Sequence, residues 1–169
     1  ASGILYTGGP WPLGYLGLGD LFVLIFFGPV AVAGTFYVQA LEITPVVIFA
    51  GLGPGLLATA LLAVNNLRDE PTDKKVGKLT LAVRFGTTFA RAEYLASLVF
   101  SAVIPFILAF WTETHWYACI SALIIIPGFS SIRQIISGVK GSELNTTLVS
   151  TGKLILIYGI LFSLGWWIG

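Results

Sequence analysis

Charge is what this sequence has least of. Of 169 residues only 10% are Asp, Glu, Lys or Arg, against about 25% in soluble domains. Hydrophobic residues make up 56% and the mean hydropathy is +0.91. A soluble fold is therefore excluded, and a polytopic membrane protein is expected. There is one cysteine, Cys119, so no disulfide can form within the chain. In apolar surroundings that thiol reads as a packing residue. Methionine is absent, and the single histidine, His115, falls at the outer face, where no catalytic role is expected of it. The net charge of +1 carries no signal of nucleic acid, and none is expected as a partner. The first 18 residues have no basic segment and are rich in Gly and Pro, unlike a secretory signal.

What is present is long apolar runs. A membrane helix needs about 20 apolar residues, and five stretches qualify: 20–40, 45–65, 87–110, 116–137 and 148–168. None alternates as a barrel strand would. The expected fold class is all-α: one polytopic transmembrane helical bundle of five spans over 1–169. Gly28-Pro29, Gly53-Pro54-Gly55, Pro105 and Pro127-Gly128 interrupt the runs. They point either to kinked helices around a cavity or to close helix packing at small residues.

The loops set an orientation. Arg68, Lys74, Lys75, Lys78 and Arg84 follow the second run, and Arg133 and Lys140 precede the fifth. The opposite connections, 40–45 and 111–116, hold neither Lys nor Arg. The positive-inside rule places the charged loops in the cytoplasm, the C-terminus outside, and Trp111, Trp116, Trp166 and Trp167 near the outer interface. The protein is expected in the cytoplasmic membrane, with the bilayer as its partner.

Most of the charge falls in NNLRDEPTDKKVGKLTLAVRFG, residues 65–86. Asp69 and Asp73 are four apart, which puts two carboxylates on one face of a helix. Mg²⁺ is held by one or two carboxylates together with substrate phosphates. Arg68, Lys74, Lys75 and Lys78 would supply charge-assisted donors to those phosphates, and the carbonyls of Asn65 and Asn66 lie one turn earlier. The same spacing occurs on any solvated helix, and a charge run between spans is also what an interfacial anchor looks like. Pro71 between the aspartates suits a first helical turn or a kink better than a helix interior.

Beyond its physics, the stretch resembles the second aspartate-rich motif of the UbiA superfamily of intramembrane prenyltransferases. The pattern RDxxTDxxxGKxTLAVRxG is long, and two further stretches carry the likeness: residues 6–39, opening YTGGPWPLGYLGLGD, and residues 144–165, LNTTLVSTGKLILIYGILFSLG. The loop text is most similar to the branch that prenylates 1,4-dihydroxy-2-naphthoate in menaquinone or phylloquinone biosynthesis. The resemblance implies the second half of a nine-helix fold. A counterpart of the family's first aspartate-rich motif is not found, since the only aspartates are Asp20, Asp69 and Asp73. The N-terminal half is thus expected to precede Ala1 and to be a partner of this one, and a fragment alone is expected to be inactive.

The resemblance further implies a transferase that moves a polyprenyl group from its diphosphate to the aromatic acceptor, with Mg²⁺ as cofactor. Asp69 and Asp73 are then the catalytic, metal-binding carboxylates. Arg68, Lys78, Asn65, Asn66 and Lys74 bind diphosphate, and Tyr6 contacts the acceptor. Lys74 and Lys75 serve equally well at lipid headgroups, Arg84 as an anchor, and Tyr6 as an interfacial tyrosine. Arg91, Glu93 and Lys153 sit about a turn inside their spans, where structural roles with snorkelling suffice. Other acceptors (4-hydroxybenzoate, homogentisate, haem or chlorophyllide), a half-transporter and a non-catalytic role remain as alternatives.

Overall fold

The computed structural model describes residues 17–169, and among these it is entirely helical, with no strand. Five helices are long and apolar enough to cross a membrane: α1 (Gly19–Ala40), α2 (Pro45–Lys75), α4 (Thr87–Thr112), α5 (Trp116–Ser137) and a last one that begins at Gly141 as a 3-10 turn and runs as α6 (Leu144–Ile168). A short helix, α3 (Leu81–Phe85), lies between α2 and α4. The all-helical bundle expected from the sequence is what forms.

α2 is the axis of the bundle. It packs against α1, α4 and α6, while α6 also packs along the first half of α5. The buried core runs through Leu57, Val64, Tyr94, Leu98, Ile124, Ile135, Leu144, Leu154 and Tyr158. In a membrane there is no hydrophobic gain from helix association, so close packing and hydrogen bonds carry it. Both are present. Tyr94 and Thr151 share a hydrogen bond of 3.1 Å between α4 and α6, and both are fully buried.

At the α1–α2 crossing the glycines serve close packing. A Cβ on Gly28 would lie 2.7 Å from the Gly51 carbonyl oxygen and 3.0 Å from Gly55 Cα. A Cβ on Gly51 would lie 2.7 Å from the backbone of Pro29. Gly28 also leaves helical geometry, at φ −108° and ψ −108°, inside a π-helical stretch from Phe26 to Val30. Pro29 causes that break, because it cannot donate to the ladder. Gly53 serves a different contact, making room for the Tyr158 ring of α6.

α2 is longer than the sequence suggests. The apolar run ends near residue 65, but the helix continues through Pro71 to Lys75, 31 residues in all. At 1.5 Å per residue that is about 46 Å, against about 30 Å of hydrocarbon. The last ten or so residues therefore extend past the apolar layer. Pro71 is exposed inside the helix, where it removes the bond to the Leu67 carbonyl without ending the helix.

At the opposite end, whose connections hold neither Lys nor Arg, the aromatics gather. Phe49 meets Trp111 edge-on, Phe110 meets Trp116, and His115 stacks on Trp166 at 4.0 Å. His115 Nδ1 also lies 2.9 Å from the Trp166 carbonyl oxygen. This ties α6 to the α4–α5 connection, far from the charged stretch.

Candidate diphosphate site

The string DKKVGKLTLAVRFG folds for local reasons. Gly77 adopts φ +73°, the left-handed conformation that ends a helix at low cost. Lys78 N then donates to the Asp73 carbonyl at 2.9 Å, and Gly77 N to that of Lys74 at 3.4 Å, the paired bonds of a Schellman ending. This turn folds Lys78 back over the helix, where its Nζ lies 3.0 Å from Asp73 Oδ2. Thr80 caps α3 by accepting from Val83 N at 3.4 Å, and Gly86, at φ +87°, redirects the chain into α4.

One turn earlier, Arg68 organises a second set of contacts. Its Nε and Nη2 donate to the two carboxylate oxygens of Asp69, each at 2.7 Å. Nη2 also donates to Asn65 Oδ1 at 2.8 Å, and Nη1 to Asn145 Oδ1 of α6 at 3.0 Å. The fork of the guanidinium matches a carboxylate in a way that a lysine cannot. Its charge and hydrogen bonds hold the Asp69 carboxyl below the usual carboxylate range, and Asp69 in turn pushes the Arg68 guanidinium up. Both lie on the extension of α2 beyond the apolar run.

The continuous helix keeps Asp69 and Asp73 on one face, yet the two carboxylates face different cations: Arg68 for Asp69, Lys78 for Asp73. Asp73 is buried and Asp69 half-buried. Lys74 and Lys75 are exposed and make no ion pair among the described residues. Arg84 is exposed and lies beside Gly17. Arg91 donates to the Gly138 carbonyl at 3.2 Å, closing the end of α5. Tyr6 lies outside the described residues.

Two participants were not singled out from the sequence. Asn145 sits in the LNTT opening of α6, and nothing in its spacing ties it to Arg68, 77 residues away. Asp20, in the first turn of α1, accepts from Asn66 Nδ2 at 3.4 Å. Its signal was available: a carboxylate at the head of a membrane helix is a functional candidate by default.

Below the charged end lies an apolar groove of about 520 Å³ between α1, α2 and α6. Val23, Phe27, Pro54, Leu61, Leu148 and Ile155 line it, and Asn65 is its polar lining residue. Asn65 thus belongs both to the groove and to the Arg68 network. A polar head joined to a long apolar tail fits that arrangement.

The site offers oxygen ligands of the kind that Mg²⁺ takes. Asp73 Oδ1 and the Asn66 carbonyl take no hydrogen bond among the described residues, so hard oxygen ligands are at hand. No group of three or more His, Cys, Asp or Glu gathers there among the described residues. That suits an ion held partly by substrate phosphates rather than caged by protein alone.

A model of the UbiA prenyltransferase family matches residues 1–148. The chain belongs to the UbiA prenyltransferase family. It is 40% identical over 161 residues to the 1,4-dihydroxy-2-naphthoate octaprenyltransferase of Mycobacterium tuberculosis, which covers 95% of this chain and 54% of that protein. To the protein of the same name from Haemophilus influenzae it is 39% identical over 170 residues, 99% of this chain and 54% of the relative. To the human UbiA prenyltransferase domain-containing protein 1 it is 35% identical over 171 residues, 98% of this chain and 47% of the relative. The chain thus spans about half the length of these relatives.

Proposed function

We propose that this UbiA-family chain forms one half of an intramembrane aromatic prenyltransferase. The enzyme transfers a polyprenyl group from its diphosphate to 1,4-dihydroxy-2-naphthoate, with loss of CO₂, in menaquinone or phylloquinone biosynthesis. Relatives named for that reaction support the acceptor. The observation that carries the reading is the junction at Asn65, where the Arg68 network meets the apolar groove.

In this reading the diphosphate lies against Arg68 and Lys78, with Lys74 at the periphery, and the tail runs down the groove toward Phe27 and Ile155. Asp69 holds the Arg68 guanidinium in place, and Asp73 holds Lys78. Asn65 and Asn145 fix the outer edge of the guanidinium. Mg²⁺, held by Asp73, Asp69 and the asparagine carbonyls, would supply further positive charge to the departing diphosphate. The allylic C–O bond breaks with its electron pair leaving on the diphosphate oxygen. Arg68 and Lys78 stabilise that developing charge in place, without reorganisation. The acceptor ring carbon bonds the allylic cation, and the carboxylate leaves as CO₂, its C–C bonding pair restoring the aromatic ring. Tyr6 would face the acceptor. In this reading the charged end lies on the cytoplasmic side, the side that the loop charges favour.

The test is prenyl transfer in membranes holding the full-length gene product, with and without Asp69→Ala and Asp73→Ala. Prenylated naphthoquinol that disappears in both variants supports the reading. Prenylated 4-hydroxybenzoate instead keeps the mechanism and changes the acceptor. No product with any aromatic acceptor, from folded protein, removes the proposal.

A further inference from the structure

The mechanism leaves one buried carboxylate without a role. Asp20 is 5% exposed at the head of α1. A carboxylate buried there is costly, and such residues are functional candidates by default. Its hydrogen-bond partner is the Asn66 amide, itself 4% exposed, at a long 3.4 Å.

The polarity of this contact matters more than its strength. An ionised carboxylate only accepts, whereas an amide offers NH₂ on one side and oxygen on the other. The two ends of an amide have nearly the same shape, so packing alone does not choose between them. In the structure the NH₂ of Asn66 faces Asp20, the end an ionised carboxylate requires, and Oδ1 faces elsewhere. No donor among the described residues takes up that oxygen. Asn66 and Asp73 are seven residues apart on one unbroken helix, two turns along the same face. A diphosphate oxygen would repel the Asn66 oxygen, whereas a hard cation would bind it.

We propose that Asp20 is a positioning residue: it locks the Asn66 amide so that its oxygen, not its NH₂, is presented to the cation that accompanies the diphosphate. The proposal rests on the diphosphate reading of the site and deepens it. Asp20 touches neither substrate nor cation, and acts through Asn66.

The experiment is a binding titration of the full-length enzyme in detergent, independent of turnover. Thermal unfolding is followed while Mg²⁺ is raised at saturating inorganic pyrophosphate, for the unmodified enzyme, Asp20→Asn, Asn66→Ala and the double variant. Losing a residue that orients a metal ligand costs about 10- to 100-fold in metal affinity. Each single variant is therefore expected to shift the Mg²⁺ midpoint upward at least about tenfold. The double variant should shift it no further than Asn66→Ala alone, because the two residues act in series. Asp20→Asn should also unfold close to the parent temperature when neither Mg²⁺ nor pyrophosphate is present, which a merely structural aspartate would not allow. An unchanged midpoint in Asp20→Asn, or additive shifts in the double variant, overturns the proposal. Asn66→Ala leaves Asp20 in place and is decisive if Asp20→Asn fails to fold: an unchanged midpoint there overturns the proposal too. If pyrophosphate with Mg²⁺ stabilises none of the proteins, including the unmodified enzyme, the diphosphate reading itself falls and takes this inference with it.

Discussion

Replacing Arg68 by lysine keeps the charge and removes the fork. The guanidinium makes four hydrogen bonds: two to Asp69 at 2.7 Å, one to Asn65 at 2.8 Å and one to Asn145 at 3.0 Å. An ammonium at the same place can keep at most one or two. Folding stability should hardly register the loss. The Arg68 and Asp69 side chains are 27% and 35% exposed, and pairs this open to solvent are worth about 0–1 kcal/mol. For a protein of this size the upper end of that range is about 2–4 °C in Tm. Diphosphate binding should register it strongly. A hydrogen bond to a charged group contributes about 1.5–3 kcal/mol, so losing one aimed at phosphate raises KM for the prenyl diphosphate about ten- to hundredfold. The assay is initial rate against prenyl diphosphate at saturating acceptor, with thermal unfolding in detergent alongside. A fall in Tm of more than about 10 °C with an unchanged KM would refute the reasoning, since it would make Arg68 a strut between α2 and α6 and nothing more.

Three further outcomes follow from the same geometry. Asp69 is held below its ordinary range by Arg68; a depressed carboxylate adds stability at neutral pH and loses it as pH falls through the folded value. The Tm difference between the parent and Asp69→Asn should thus be constant from about pH 8 to 5 and close below about pH 4. Gly51→Ala brings a Cβ within 2.7 Å of Pro29 backbone, so overpacking of about 1–3 kcal/mol should outweigh the helix propensity gained. Gly34→Ala, which meets nothing within 4 Å, should be neutral or stabilising in the same unfolding measurement. At the buried α4–α6 bond, Thr151→Val should cost more than Tyr94→Phe: the first leaves a tyrosine hydroxyl without its partner, about 1–3 kcal/mol. The second leaves Thr151 still donating to the Thr147 carbonyl at 2.7 Å. Equal losses in denaturant unfolding would contradict that asymmetry.

The spans were legible because hydrophobic length is decided locally: a run of about 20 apolar residues can do little in a bilayer but form a helix. The end of α2 was not legible, because apolar composition stops at the membrane surface while the helix itself does not. Glu70, Lys74 and Lys75 are good helix formers in water, and α2 continues through them past Pro71. The Gly28–Gly51–Gly55 contact was half legible. The residues announced either a kink or a close approach, and only the crossing of α1 over α2 showed that Gly28 does both. The site divides in the same way. The Asp73–Lys78 pair is five residues apart with Gly77 between to turn the chain, and Arg68 is adjacent to Asp69, so sequence distance alone brings them together. Asn145 and Asp20 reach the same end from α6 and α1, across 77 and 46 residues. No local pattern encodes that meeting; it exists because α2 packs against both helices. The residues on α2 and its turn supply the charge a diphosphate needs. In the reading argued above, the distant pair fixes which way the polar groups of α2 point: Asn145 holds one arm of Arg68, and Asp20 holds the amide of Asn66. A motif search over residues 65–86 therefore finds the charge of the site and misses what aims it, which is why Asp20→Asn and Arg68→Lys, both conservative in size or charge, are the informative substitutions.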